Sequence, residues 1–185
     1  MTHSRPSKAE KPRPAGRSAS RRRLWASTLA VVVVAAGLIG YGAYRAAADL
    51  PGVRLEDQGN GHIAMPSDPH VPYNSDPPTS GPHLPYIAPW GIHTTPIAKE
   101  LQVHNLEDGG VMVQYHCATP CPELVERLAA IVRRYETQVI LAPYPGMRTR
   151  IALTAWTRLD ALDEFDEARI VRFIRAYRGI DHHRG

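Results

Sequence analysis

The distribution of apolar and polar residues divides the chain into three parts. Residues 24–44 form a run of 21 residues without a charge, which is close to the ~20 residues that a helix needs to cross a bilayer. Residues 49–96 are rich in proline and glycine and keep no period of 2 or 3.6, so neither a regular helix nor a central strand is expected there. Periodic patterns return after residue 96. The chain is therefore predicted to contain a membrane-spanning helix, an irregular segment and one compact domain.

The compact domain is predicted to be α+β, with the order β–β–α–β–β–α and two helices covering one face of a small sheet. Residues 101–105 alternate like a strand, and Asp108-Gly109-Gly110 has the composition of a hairpin turn. A second strand follows, with Val111 and Val113 on one face and the intervening residues on the other. The remaining elements are a helix that begins at Pro122, strands over residues 138–142 and 150–157, and a helix over residues 163–178.

Apolar spacing identifies the faces of both helices that point to the core. Pro122 suits the first helical position, which places Cys121 near the N-cap. The predicted inward-facing residues are Leu124, Leu128, Ile131, Val132 and Tyr135 in the first helix, and Ile170, Phe173, Ile174 and Tyr177 in the second.

The proline-rich segment contains several large apolar residues, among them Tyr73 and Trp90, and is too apolar for a free linker. We expect it to be extended and to wrap the domain. The predicted parts of the chain are a disordered cytoplasmic tail (1–23), a transmembrane helix (24–46), a linker (47–65), an extracytoplasmic domain (66–180) and a short tail (181–185).

The charges predict how the chain lies in the membrane. Residues 1–23 contain eight Lys and Arg and the single acid Glu10, and basic flanks stay on the cytoplasmic side. A single-pass protein with its N-terminus inside is therefore expected. Residues 46–185 contain 13 Lys and Arg and 17 Asp and Glu, so nucleic acid is not expected as a partner. The alternative is a signal peptide cleaved near Ala48, but the apolar run exceeds the usual ~7–15 residues of a signal core.

Several motifs occur together in one order. They are YNSDPPTSGPH (73–83), PWG (89–91), VHNLEDGGV (103–111), APYPGM (142–147), ALTAW (152–156) and DEFDEARIVRFIRAYRG (163–179). Over residues 66–179 the chain resembles the bacterial family called domain of unknown function 3105. The resemblance implies a domain anchored in the cell membrane and lying outside it, with no assigned reaction. The family pattern is similar to HNLEHGG, so Asp108 stands where a second histidine is usual.

Candidate metal ligands surround the predicted hairpin. Imidazole, thiolate and thioether groups suit copper or zinc, and His116, Cys117, Cys121 and Met112 supply them close together in the sequence. His104 shares a face with Met112 and His116 only if the paired positions of the hairpin sum to an even number. His83, which ends the proline-rich motif, is a further candidate.

A structural clasp is the preferred interpretation of the same region, ahead of a metal site. In this interpretation His104 and Glu107 hydrogen-bond the proline-rich segment and hold it on the domain. The residues assigned to the clasp are His104, Glu107, Asp108, Gly109, Gly110 and Trp90.

Cys117 and Cys121 can form a disulfide in an oxidising compartment. Their position at a strand-to-helix junction also favours a thiolate, because the N-terminus of a helix stabilises negative charge. A β–Cys-x3-Cys–α–β arrangement resembles the thioredoxin-type copper chaperones of respiratory-oxidase assembly, although thioredoxins usually have Cys-x2-Cys.

Three functions remain open on the sequence. A binding or assembly module is favoured, with handling of a metal such as copper as its more specific form, ahead of a thiol–disulfide oxidoreductase and of a scaffold that recruits another envelope protein. An enzyme is the less favoured class. Ser75 and Ser80 lie among prolines without a nucleophile-elbow pattern, and no phosphate-binding loop is present in the sequence.

Overall fold

The computed structural model describes Trp25, residues 31–42 and residues 50–183. The chain divides into two compact units, Met1–Asp49 and Leu50–Gly185. In the first unit Trp25 and residues 31–42 are helical (α1). Among the described residues, no helix combines the length and apolar character needed to cross a membrane. The predicted cytoplasmic tail (1–23) and much of the predicted span (24–46) lie outside the described residues, so both stay predictions.

The second unit is α+β, as predicted, and contains a mixed sheet of six strands in the order β1-β6-β5-β3-β4-β2. Strands β2, β4 and β3 are parallel to one another, whereas β3, β5, β6 and β1 pair antiparallel. Helix α3 is the crossover that a parallel β3–β4 pair requires. The elements are β1 (Val53–Arg54), β2 (Gly91–Ile92), α2 (Lys99–Glu107), β3 (Val111–Tyr115), α3 (Pro122–Val132), β4 (Val139–Pro143), β5 (Ile151–Ala155), β6 (Arg158–Leu162) and α4 (Glu167–Tyr177).

One face of the sheet is covered by α3 and α4, as predicted. Val111 and Val113 of β3 point into this core together with Leu128 of α3 and Phe173 of α4. The inward-facing residues predicted for α4 are all buried, and those predicted for α3 are buried up to Val132, where that helix ends. Helix α4 begins at the N-cap Asp166, whose side chain accepts a hydrogen bond from the backbone N of Arg169.

The opposite face of the sheet is also covered, by α2 and the proline-rich segment. Met112 and Ile140 lie in this second core with Val103 and Leu106 of α2. The prediction of a sheet with only one covered face was therefore wrong. Because α3 and α4 cover one face and α2 covers the other, residues of β3 and β5 are buried on both faces of the sheet.

The predicted first strand and hairpin were also wrong, because residues 101–105 belong to α2. The helix ends in a Schellman motif: Gly110 N donates to Asn105 O (2.8 Å) and Gly109 N donates to Leu106 O (3.1 Å). Gly109 has φ +74°, the left-handed conformation that this motif requires after the last helical turn. The two glycines therefore end a helix rather than form a hairpin turn. Because no hairpin forms here, strand pairing does not determine which residues share a face with His104.

Two further features were not predicted. Strand β6 forms a hairpin with β5 through Thr157, which has φ +58°. The segment from Leu50 onward, predicted as part of a linker, contributes β1 to the edge of the sheet. The backbone near residue 59 also pairs with the backbone near residue 81 of the proline-rich motif, where Gly81 N donates to Gly59 O (2.9 Å).

The proline-rich segment is docked on α2, as expected. Asn105 makes two hydrogen bonds with the backbone of Ala88, one from its Nδ2 to Ala88 O and one to its Oδ1 from Ala88 N, both 2.9 Å. Trp90 is half-buried and packs against Gly110, where a Cβ would lie only 2.7 Å from the indole ring. Tyr73 is half-buried against the same core.

Candidate metal centre

Helix α2 and its C-cap place three ionisable side chains on one face. His104, Glu107 and Asp108 stand at positions i, i+3 and i+4, which are neighbours on a helix surface. The helix is enclosed by the sheet on one side and by the proline-rich segment on the other. His104 and Glu107 are consequently buried although they are polar, and each needs a partner from the surrounding chain.

Two short backbone segments bring further imidazoles to this face. Ile63 N donates to His83 O (2.8 Å) and His83 N donates to Gly61 O (3.0 Å). This pairing sets His62 beside His83. The ring centroids of these two histidines lie 5.0 Å apart, and the ring of His62 stacks on His104 with centroids 5.3 Å apart.

The four side chains of His62, His83, His104 and Glu107 form a compact cluster. Each offers one ligand atom, and these atoms lie within 4.8 Å of one another. Glu107 Oε2 lies 2.9 Å from His83 Nε2 and 4.0 Å from His62 Nε2. Ligands held about 2.0–2.1 Å from one ion lie roughly 2.9–3.4 Å apart, so small side-chain movements would complete a site.

Backbone carbonyls determine which ring nitrogen can bind an ion. Nδ1 of His83 lies 2.7 Å from Gly81 O, and Nδ1 of His104 lies 2.7 Å from Leu84 O. A carbonyl oxygen only accepts hydrogen bonds, so each Nδ1 carries the hydrogen and donates it. The lone pair of each neutral ring is therefore on Nε2. Histidines that bind metals are held in this way, with the second nitrogen donating to a carbonyl or carboxylate.

Glu107 is oriented by a comparable contact. Asn60 Nδ2 donates to Oε1 of Glu107 (2.6 Å), which leaves Oε2 directed at the imidazoles. His83 Nε2 and Glu107 Oε2 are then two electron-rich atoms 2.9 Å apart, in a place where His83 is 0 % and Glu107 1 % exposed. Such a pair needs a cation or a shared proton between its members.

Burial opposes a second proton on the ring of His83. Burial lowers the pKa of His83, and this effect outweighs the hydrogen bond to Gly81 and the charge of Glu107, which raise it. A doubly protonated His83 is therefore disfavoured relative to an exposed histidine. The arrangement suits a metal ion, which binds the neutral imidazole and the carboxylate directly.

The cysteines predicted as metal ligands lie elsewhere. Cys117 and Cys121 form a disulfide with their Cα atoms 6.2 Å apart, directly before α3. They and His116 follow the C-terminal end of β3, whereas Glu107 precedes its N-terminal end. Five residues of strand separate the two ends, a distance of roughly 16 Å. The ligand set predicted from the sequence is therefore divided between two places, and only His83 and His104 of that set lie in the cluster with Glu107.

Four other predicted site residues lie outside the cluster and contribute to packing or to the end of α2. Met112 is fully buried in the core between β3 and α2, and Gly109, Gly110 and Trp90 form the helix end and its cover. Sequence reasoning missed His62 and Asn60 as site residues. The only sequence signal for His62 was the abundance of histidine after the apolar run, and Asn60 had none. Neither residue lies near His104 along the chain.

The fold and the cluster together describe an α+β domain in which a helix and a wrapping segment hold three histidines and one glutamate, with His62 exposed and the other three buried. A family model described as "Protein of unknown function (DUF3105)" matches residues 64–184. The chain belongs to this family, which confirms the resemblance seen in its motifs. No curated protein and no solved structure shows significant similarity to the chain. The matched range includes three of the four cluster residues and begins just after His62.

Proposed function

We propose that this protein is a metal-binding module whose ligands are His62, His83, His104 and Glu107. The observation that carries the proposal is the contact of His83 Nε2 with Glu107 Oε2 at 2.9 Å, with the other atom of each group already engaged by Gly81 or Asn60. A single divalent ion satisfies both electron-rich atoms at once.

The donor atoms favour Zn²⁺ or Cu²⁺. Three imidazoles and one carboxylate suit these ions, whereas Cu⁺ prefers sulfur ligands. The nearest cysteines are in a disulfide beyond the far end of β3, and a disulfide offers no thiolate. Four protein ligands also fill a tetrahedral site, so binding, transfer or structural stabilisation fits this centre better than catalysis on a substrate.

The metal would be handled at the membrane surface. The uncharged run of residues 24–44 and the basic residues before it support an anchor with the N-terminus in the cytoplasm and the domain outside. A partner in the cell envelope that delivers or receives the ion belongs to this proposal.

Titration of the metal-depleted, purified full chain with Zn²⁺ tests the centre. We expect one equivalent to bind, and Glu107→Gln to weaken binding at least tenfold because the carboxylate charge is lost while the shape is kept. Glu100→Gln is the matched control on the same helix, since Glu100 lies outside the cluster and contacts His70 (3.7 Å). A double Cys117→Ser, Cys121→Ser variant should bind as the unchanged protein does. The proposal fails if the unchanged chain binds no ion or if Glu107→Gln binds equally well.

Thiol–disulfide exchange at Cys117 and Cys121 is a second candidate function, supported by the strand order. The strands β6-β5-β3-β4, with β3 and β4 parallel and joined by α3, resemble the core of thioredoxin-like proteins. The disulfide lies immediately before α3, where those proteins carry their reactive cysteines. This likeness is an analogy of fold alone.

The reduction potential of the disulfide distinguishes a structural disulfide from one that takes part in thiol–disulfide exchange. Structural disulfides of secreted proteins lie below about −300 mV, whereas exchanging ones lie higher. Equilibration of the full chain with thiol buffers of defined potential, followed by counting of free thiols, gives the value. A potential below about −300 mV would leave the disulfide a structural role.

A further inference from the structure

A second group of potential ligands lies directly outside the cluster. It consists of His104, Asp108 and His183, whose ligand atoms also lie within 4.8 Å of one another. His104 Nε2 is 3.8 Å from Asp108 Oδ1, and His183 Nε2 is 3.6 Å from the same oxygen. His183 Nε2 is also only 3.4 Å from Glu107 Oε2. The outer group therefore adjoins the inner one and shares His104 with it.

Specific contacts hold the segment that carries His183. Gly179 N donates to Gly109 O (2.8 Å), and His182 N donates to Glu107 O (2.9 Å). The ring of His182 stacks on Trp156, with an interplanar angle of 19°. These contacts tie the segment to the end of α2 and set His183 beside the cluster, with its Nε2 3.4 Å from Glu107 Oε2.

The orientation of His183 repeats that of the inner histidines. Its Nδ1 lies 2.7 Å from a carboxylate oxygen of Asp181, which accepts the Nδ1 hydrogen. Nε2 is the nitrogen turned toward Glu107 and Asp108. The side chain of His183 is 46 % exposed, that of Asp108 30 % and that of Glu107 1 %. On the side of His183, exposure therefore falls from the outer ligands to Glu107, while His62 of the inner group has a side chain that is itself 47 % exposed.

We propose that His183, Asp108 and His104 form an outer metal position through which a divalent ion enters and leaves the inner centre. This inference rests on the proposed function. His104 has only Nε2 free, because its Nδ1 donates to Leu84 O, so the two positions hold one ion in turn. The ion moves inward by exchanging Asp108 for Glu107 and His183 for His83 and His62, and it never loses all of its protein ligands.

The rate of metal removal tests this route. The purified full chain is loaded with Co²⁺, whose visible absorption reports the coordination of the ion, and is then mixed with an excess of a strong chelator. We expect His183→Ala to keep one bound equivalent and the same absorption spectrum, because the inner ligands are intact. The removal rate should fall at least tenfold, because the exchange ligand is missing. Asp108→Asn should slow removal in the same direction, and His116→Ala, at the other end of β3, should leave the rate unchanged.

Three other outcomes for His183→Ala would contradict the outer position. Faster removal from His183→Ala would show that the segment only shields the centre, and an unchanged rate would show that it is not on the route. Loss of the bound ion in His183→Ala would make His183 a permanent ligand. Each of these three results overturns the outer position; the first two leave the inner centre as proposed, and the third adds His183 to its ligands. Absence of Co²⁺ binding by the unchanged chain would instead refute the proposed function itself.

Discussion

The orientation of individual histidine rings depends on backbone carbonyls in this protein. Gly81 O and Leu84 O take the Nδ1 hydrogens of His83 and His104, and both carbonyls belong to the segment that wraps α2. The wrapping segment therefore does more than cover a core. By selecting the tautomer of two rings, it turns their lone pairs to the carboxylate of Glu107.

Acidification should weaken metal binding, because protons and the ion compete for the same lone pairs. The apparent affinity for Zn²⁺ should fall below about pH 6.5, the ordinary pKa of histidine, by roughly tenfold per pH unit for each proton displaced. Since burial lowers the pKa of His83, this ring should remain a ligand at a pH where an exposed imidazole is protonated. Chelator competition between about pH 5 and about pH 8 measures the trend, and an affinity independent of pH would contradict it.

At the scale of elements, the C-terminal end of α2 connects the helix, β3 and the segment that carries His183. Gly109→Ala should destabilise this end strongly. A Cβ at Gly109 would lie 2.8 Å from Ile180 N and 2.9 Å from the carbonyl carbon of Gly179, which adds overpacking of about 1–3 kcal/mol. The left-handed φ of +74° costs alanine about 1–2 kcal/mol more.

Gly146→Ala is the control for that prediction. Gly146 has a similar φ of +83°, but no atom of the described residues lies within 4 Å of the position that a Cβ would take there, so only the conformational cost of about 1–2 kcal/mol applies. Guanidinium unfolding of the two variants gives both free energies. Equal losses would show that the contact between Gly109 and Gly179 is not maintained in solution.

Docking of the proline-rich segment gives a second prediction at this scale. Trp90→Ala should lower the free energy of unfolding by about 2 kcal/mol or more, because a buried tryptophan usually contributes about 3–5 kcal/mol and Trp90 is half-buried against Gly110. Tyr86→Ala, in the same segment and 54 % exposed, is the control and should change little. Equal melting temperatures for Trp90→Ala and the unchanged protein would indicate a segment that is not docked.

At the scale of the whole molecule, the membrane anchor is the main prediction. We expect the protein to stay in the membrane fraction after an alkaline wash and to keep the residues before Ala48, because the uncharged run of 21 residues is longer than a signal core. External protease should degrade the domain and spare the basic N-terminus. Sequencing of the mature N-terminus decides the matter: a start at Ala48 or Asp49 would identify a cleaved signal.

Local sequence patterns were sufficient for several parts of the fold. Pro122 and the apolar spacing after it located α3, the run before Pro143 located β4, and the spacing of Ile170, Phe173 and Ile174 located the buried face of α4. Each of these elements buries one regular stripe or a short apolar run, so its period is visible without knowledge of its neighbours.

Helix α2 could not be recognised in this way. It is enclosed on nearly every side, and its buried residues include Gln102, His104, Asn105 and Glu107, so it has no polar face to reveal a helical period. The polar side chains are tolerated only because distant segments supply their partners, such as Ala88 O for Asn105 and Leu84 O for His104. A short alternation of apolar and polar residues therefore indicated a strand.

Sequence patterns alone established the α+β class, the family, the core under α3 and α4, and the candidacy of His83 and His104 as metal ligands, with Glu107 assigned only to the clasp. The assembly of the candidate centre was decided only by the tertiary structure. His62, His83 and Glu107 are separated by about 20 residues or more along the chain, and loops of such length can close in many ways at similar entropic cost. The contacts of residues 59–63 with residues 81–83, and of both with α2, select one of these closures. No local pattern in the sequence records that choice.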